Sequence, residues 1–179
     1  MTIQGRIYDK YRRIVKRYQP TQGWQAYQRG LLTVFYGSMV LEIGGPNVST
    51  TYMICPKGKA VLGIFMPFLV MIVKNLNKYF SFEVTILDDS STRRRFRVSN
   101  FQSNTQISPL CTVMPIGLFR GWNQIQFNLS EFTHRAYKRE FIEIQKIKIN
   151  AKIRLRRIYF TDGLVPEEEL LAEYKLFFP

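Results

Sequence analysis

One histidine, two cysteines and thirteen carboxylates are nearly all that 179 residues offer for catalysis or metal binding. That scarcity excludes most reactive arrangements. His134, flanked by Thr133 and Arg135, has no second histidine to form a metal pair. Cys55 and Cys111 are too few for a disulfide framework and show no CxxC spacing. Both lie among apolar neighbours, as buried free thiols in a reducing compartment would. The carboxylates are scattered: Asp88 and Asp89 read as turn formers, and Glu167-Glu168-Glu169 after Pro166 as the acidic first turn of a short helix. Gly44-Gly45 lacks the lysine and spacing of a phosphate loop. No triad or paired acids emerge, so neither catalysis, cofactor nor metal is expected.

Long apolar runs are missing too. The oiliest stretch, residues 60–73, is shorter than the roughly 20 residues a bilayer requires, and Gly63 and Pro67 interrupt it. It reads as two buried strands, 60–64 and 68–73, and no membrane span is expected. Without a secretory leader, the sequons at Asn47 and Asn128 read as chance matches.

Positive charge is what the chain has in excess. Lys and Arg number 26 against 13 acids, a net charge of +13. Such an imbalance does not choose a fold, but it predicts an acidic partner: nucleic acid, anionic membrane or an acidic protein surface. The 46% hydrophobic and 15% aromatic content supplies one packed core.

Most of that core reads as strand. Val40–Ile43 and Ser49–Ile54 flank the Gly44–Asn47 turn; Phe80, Phe82, Val84 and Ile86 alternate with polar residues; Asp88–Ser91 turns the chain into Arg94–Val98. Gly121–Leu129 follows as a half-buried strand led by Trp122, whose burial is expected. Ser130 then caps a short helical turn, Ser130–Thr133. Beyond it, Ile147, Ile149, Ala151, Ile153 and Leu155 alternate strictly with Lys146, Lys148, Asn150, Lys152 and Arg154. Strand side chains point alternately to opposite faces, so one face is oily and the other cationic. Short strands, compact turns and one small helix predict an all-β, antiparallel sandwich of jelly-roll type over residues 27–179.

Residues 1–26 form a basic leader. Ile3, Ile7, Tyr11, Ile14 and Tyr18 trace one helical face before Pro20 and Gly23. Arg12, Arg13, Lys16 and Arg17, with Arg6 and Lys10, cover much of the rest. The leader is read either as an amphipathic helix on an acidic partner or as a segment ordered only on binding. Asp9 and the lack of serine argue against a transit peptide.

The remaining signal is a binding surface. Arg93, Arg94, Arg95 and Arg97 crowd one hairpin arm; Lys146, Lys148, Lys152, Arg154, Arg156 and Arg157 crowd the last strands. If those arms share a sheet, they form a single cationic face. Lysines that blunt strand edges would explain a few of these residues. They do not explain three consecutive arginines, the residue suited to forked contacts with carboxylate or phosphate. The main rival is a nucleic-acid binder, which would want aromatics among the exposed cations; Phe96 and Tyr159 read as inward-facing. A carbohydrate module, wanting exposed Trp or Tyr platforms, ranks lower.

Several words of the sequence resemble the cilia- and flagella-associated protein 20 family. They include Asn47–Tyr52, Pro67–Leu76, Leu87–Asp89, Arg93–Arg97, Gly121–Ser130, Arg156–Phe160 and Ala172–Leu176, in one register from about Tyr27 to Pro179. The resemblance implies a non-catalytic β-sandwich of the ciliary axoneme, with the basal body as a further location. It would lie at the inner junction of the doublet microtubule, touch tubulin, and alternate with the parkin co-regulated protein. The family carries a longer segment where this chain runs from Tyr36 into Ile43, and the leader before Trp24 has no counterpart in it.

Overall fold

The computed structural model describes residues 25–27, 31–35 and 38–177. Of the leader expected over residues 1–26, residues 1–24 lie outside the described residues, and Gln25 and Ala26 belong to a strand. Among the described residues, twelve strands form two sheets that face each other across one core. The larger sheet has the order β1 (Gln25–Tyr27), β4 (Tyr52–Cys55), β11 (Phe141–Asn150), β6 (Ser81–Asp88), β7 (Arg93–Ser99), β9 (Cys111–Pro115), β8 (Gln106–Ser108). The smaller has the order β10 (Gly121–Asn128), β5 (Phe68–Asn75), β12 (Ile153–Thr161), β3 (Ser38–Ile43), β2 (Leu31–Phe35). The expected β-sandwich is thus present, antiparallel throughout except where β7 and β9 run parallel.

Alternation dictates the core. Phe82, Val84 and Ile86 from β6 and Phe96 and Val98 from β7 meet Leu69, Met71 and Val73 from β5, all essentially without solvent exposure. Phe127 of β10 fills the middle, its ring edge-on to Phe82 at 6.0 Å and to Phe96 at 6.1 Å. Such aromatic pairs add about 0.5–1.5 kcal/mol each beyond their buried area.

Three expectations change. Residues 60–64 are not a strand; the segment between β4 and β5 is irregular and meets β11 through an isolated bridge, Ile64 to Ile144, and through Leu62 N, which donates to the Gln145 carbonyl at 2.9 Å. The helical turn is a nine-residue helix, α1 (Leu129–Tyr137), and its cap is Asn128, whose Oδ1 accepts from Glu131 N at 3.1 Å. Ser130 lies inside that helix. Phe132 and Tyr137 close one end of the core against Phe127 and Phe96.

The third change matters most for function. The strict alternation from Lys146 to Leu155 spans two strands in different sheets. β11 ends at Asn150, and β12 begins at Ile153 in the opposite sheet. Ile147 and Ile149 point into the core from one side, Ile153 and Leu155 from the other. Lys146 and Lys148 therefore face outward from one sheet, and Arg154 outward from the other. The expected single cationic face is split in two.

Candidate docking surface

Side chains on the outer face of the larger sheet can be placed by register. Lys148 on β11 stands opposite Glu83 on β6, which stands opposite Arg97 on β7. One two-residue step along, Lys146 stands opposite Thr85, and Thr85 opposite Arg95. Arg93 lies one step further on β7. Arg93, Arg95 and Arg97 are exposed, while Phe96 between them is fully buried. Glu83 gathers three of these cations: Arg97 Nε at 3.1 Å, Arg95 Nε at 3.6 Å and Lys148 Nζ at 3.7 Å. Lys148 also stands 4.3 Å above the Tyr52 ring. Five cations around one shared carboxylate leave this face strongly positive.

Arg94 does not belong to it. By parity it shares the inward side with Phe96. Its Nε donates to Asp88 Oδ2 at 2.8 Å, its guanidinium packs 4.8 Å over Tyr137, and a terminal nitrogen donates to the Pro109 carbonyl. Burial pushes the Asp88 carboxyl up, but hydrogen bonds from Ser90, Arg94 and Thr92 and the Arg94 charge outweigh it and hold the group below its ordinary value.

The cations of β12 are engaged within the molecule. Arg154 Nε donates to Glu42 Oε2 at 2.5 Å, and Arg157 reaches the Glu173 carboxylate at 3.2 Å. Arg156 sits at the register shift between Leu155 and Arg157 and is only 6% exposed. It donates to the carbonyls of Lys175 and Leu176 and covers the Trp122 ring at 5.0 Å. Burial, then the neighbouring Arg157, lower its pKa. Arg156 and Arg157 hold the C-terminal segment, residues 165–176, across the smaller sheet. There Leu170 and Tyr174 pack on Val70 and Tyr159 in a second apolar cluster. Lys152, half-buried, lies in the turn between β11 and β12, where its N–H donates to the Tyr79 carbonyl at 3.1 Å.

Trp122 is a further correction. It is half-buried on the outward side of β10, because it lies three residues from Ile125 and so has the opposite parity. Its partners are Arg156 and, at 6.0 Å, Lys74. Trp122→Ala should therefore cost about 1–2 kcal/mol of lost cation contact, rather than the roughly 3–5 kcal/mol of a core cavity. A denaturant midpoint at unchanged slope reads the difference.

At the end of the sandwich away from α1, three aromatics are exposed: Tyr79 (69%), Phe101 (52%) and Phe119 (85%). Tyr79 and Phe101 meet edge-on at 5.3 Å, and Asn75 Nδ2 holds the 118–119 turn through the Leu118 and Phe119 carbonyls. The local signal for these exposed rings is a polar neighbour in a loop: Lys78 before Tyr79, Asn100 before Phe101 and Arg120 after Phe119. Among the described residues no group of three or more His, Cys, Asp or Glu could hold a metal ion, and no helix is long and apolar enough to cross a membrane. His134 is exposed, with Nδ1 3.3 Å from Glu140. Burial lifts the Cys55 thiol to about 11, while Cys111 is half-exposed.

Residues 19–178 match the model of the CFA20 domain. The chain belongs to the CFA20 family. Its similarity to curated relatives is high: 60% identity over 143 residues to cilia- and flagella-associated protein 20 of Chlamydomonas reinhardtii, covering 79% of this chain and 75% of that one. The Paramecium tetraurelia protein of the same name is 58% identical with the same coverage, and the Caenorhabditis elegans one 54% identical, with 79% of this chain and 70% of that one covered. Among solved structures, an exo-β-agarase overlaps 86% of this chain and 25% of its own at 11% identity and a TM-score of 0.42, a likeness too weak to bear on function.

Proposed function

We propose that this CFA20 member is a non-catalytic structural protein of the ciliary axoneme, binding tubulin at the inner junction of the doublet microtubule and joining the A-tubule to the B-tubule. The parkin co-regulated protein is the neighbour this reading supplies. One observation carries the tubulin contact: Arg93, Arg95, Arg97, Lys146 and Lys148 stand on one rigid outer face, suited to an acidic lattice. Family membership supplies the ciliary setting. A bridging protein needs two surfaces, and the exposed Tyr79, Phe101 and Phe119 offer an apolar second one. On the smaller sheet, Val70 and Tyr159 are already covered by the chain's own C-terminal segment.

Co-sedimentation with microtubules tests the reading, with and without the acidic tubulin tails and with excess single-stranded DNA as competitor. The native protein should pellet despite the DNA. The combined Arg93→Glu, Arg95→Glu and Arg97→Glu variant should lose at least about tenfold in affinity, since each exposed pairing lost or reversed costs a few tenths to 1 kcal/mol. Its unfolding transition should move little. Pelleting that DNA abolishes, or that survives the triple reversal, would sink the assignment.

A further inference from the structure

Beside the β7 arginines, the segment between β4 and β5 rises as a wall and makes a cleft of about 670 Å³ over the larger sheet. Lys59 and Val61 line it from that wall, Thr85 forms part of the floor, and Arg93, Arg95 and Lys146 surround the floor. The cleft has no carboxylate in its lining. Glu143, the nearest acid along β11, lies outside the lining and accepts from Gln145 Nε2 at 3.1 Å. Arg94, at the margin, is neutralised by Asp88. Among the described residues neither Lys59 nor Arg93 has an ion-pair partner. Lys146 Nζ donates to the Gly58 carbonyl at 2.6 Å, which fastens the wall to the sheet.

The same sheet shows what this place is shaped to receive. At Glu83, a carboxylate on β6 sits between an arginine of β7 and a lysine of β11. Thr85 occupies the equivalent position one step along the strand, again between an arginine (Arg95) and a lysine (Lys146), but its side chain is short and neutral. The cations are repeated and the anion is not. We infer that the cleft binds side-chain carboxylates of an extended, glutamate-rich peptide segment of a partner, one of them seated over Thr85 as Glu83 is seated in its own row. Arg93 and Arg95 are two residues apart, roughly 6.6–6.8 Å along a strand. An extended peptide repeats its same-side carboxylates at that distance, so two can be met at once. The volume falls within the range of pockets that hold small or short-chain ligands. This deepens the docking assignment of the larger sheet and rests on it: the face meets a lattice, and the cleft takes a flexible acidic chain projecting from it.

Thr85→Glu is the decisive variant, because it supplies the missing carboxylate from within. A labelled hexaglutamate peptide is titrated by fluorescence anisotropy into the full chain at low ionic strength. The native protein should bind it, Thr85→Glu should bind at least tenfold more weakly, and Gln126→Glu, which changes net charge equally on the exposed face of β10, should bind as the native protein does. Unfolding of each variant is measured alongside. Equal weakening in both variants would overturn the cleft in favour of net charge alone, and undiminished binding by Thr85→Glu would overturn it outright. An oligonucleotide of equal charge that displaces the peptide but resists displacement by it would reassign the site to nucleic acid. Microtubule pelleting separates the two readings. Native protein that pellets but binds no peptide overturns the cleft and leaves the lattice contact standing; peptide binding that follows the cleft without pelleting does the reverse.

Discussion

Arg94→Met should cost the domain about 3–5 kcal/mol, because it leaves a buried carboxylate without its counter-charge. Asp88 is 1% exposed. Arg94 Nε donates to one carboxylate oxygen at 2.8 Å, while the other accepts from Ser90 Oγ at 2.7 Å and Thr92 N at 2.8 Å. Methionine keeps an unbranched stem of similar length but removes the guanidinium that packs over Tyr137 and donates to Asp88 and Pro109. Three elements would loosen together: the β6–β7 turn, the β8–β9 turn and the end of α1. Arg93→Met and Arg95→Met, on the opposite side of the same strand, should stay within about 0.5 kcal/mol. Equilibrium unfolding in denaturant compares the three, and equal midpoints would remove Arg94 from the scaffold. The pH dependence has a definite sign. Asp88 is held below its ordinary value in the fold, so its contribution is complete above the unfolded pKa of about 4 and is lost as pH falls through the folded one. The native protein should therefore weaken in acid below about pH 4, and Arg94→Met should show a shallower dependence there.

The strands were legible where one face is buried and the other wet. β6, β7 and β10 follow from alternation alone, and the Asp88-Asp89 turn from its residue types. Parity also held information that residue clustering obscured. Arg94 is in phase with Phe96 and Val98, so three consecutive arginines were never one surface; the middle one had to turn inward. Trp122 is out of phase with Ile125, which places the ring outside.

Other features had no local signal. Strict alternation through Asn150 and Ala151 cannot reveal a crossing between sheets, because both apolar sets end up facing the same core. Arg156 lies at a register shift, where parity fails, and its burial depends on a segment twenty residues further on. The Lys59 wall of the cleft is irregular backbone whose position is set by the Lys146–Gly58 contact and the Ile64–Ile144 bridge, both long-range. The helix was underestimated because β10 runs into it without a loop; Leu129 N bonds the Pro67 carbonyl at 2.9 Å while Asn128 already caps the helix. Charge was thus readable from the sequence, but its division between binding and holding the fold was not. That division is a property of topology: cations on the larger sheet face out around one carboxylate, whereas on β12 Arg154 pairs with Glu42 and Arg156 and Arg157 meet the chain's own C-terminal segment.

Tyr174→Ala tests that division and should cost about 3–5 kcal/mol, the usual loss for a buried aromatic cut to alanine. Tyr174 is 1% exposed and meets Tyr159 edge-on at 4.9 Å. The rest of the segment is tethered by polar contacts: Arg156 to the Lys175 and Leu176 carbonyls, Arg157 to Glu173, and Leu176 N to Glu167 Oε1 at 2.9 Å. Without the tyrosine anchor these partly exposed contacts are worth too little to hold twelve residues in place against their conformational entropy. Val70 and Tyr159 would then face water as an apolar patch on a flat sheet. A lower unfolding midpoint should therefore come with concentration-dependent light scattering, absent from Arg93→Met. A variant that unfolds like the native protein and stays monomeric would mean the segment contributes no cover. Pelleting with microtubules should survive in whatever fraction remains folded, since the cations of the larger sheet are untouched. Its loss would move the docking surface to the smaller sheet, where the C-terminal segment itself would be the contact.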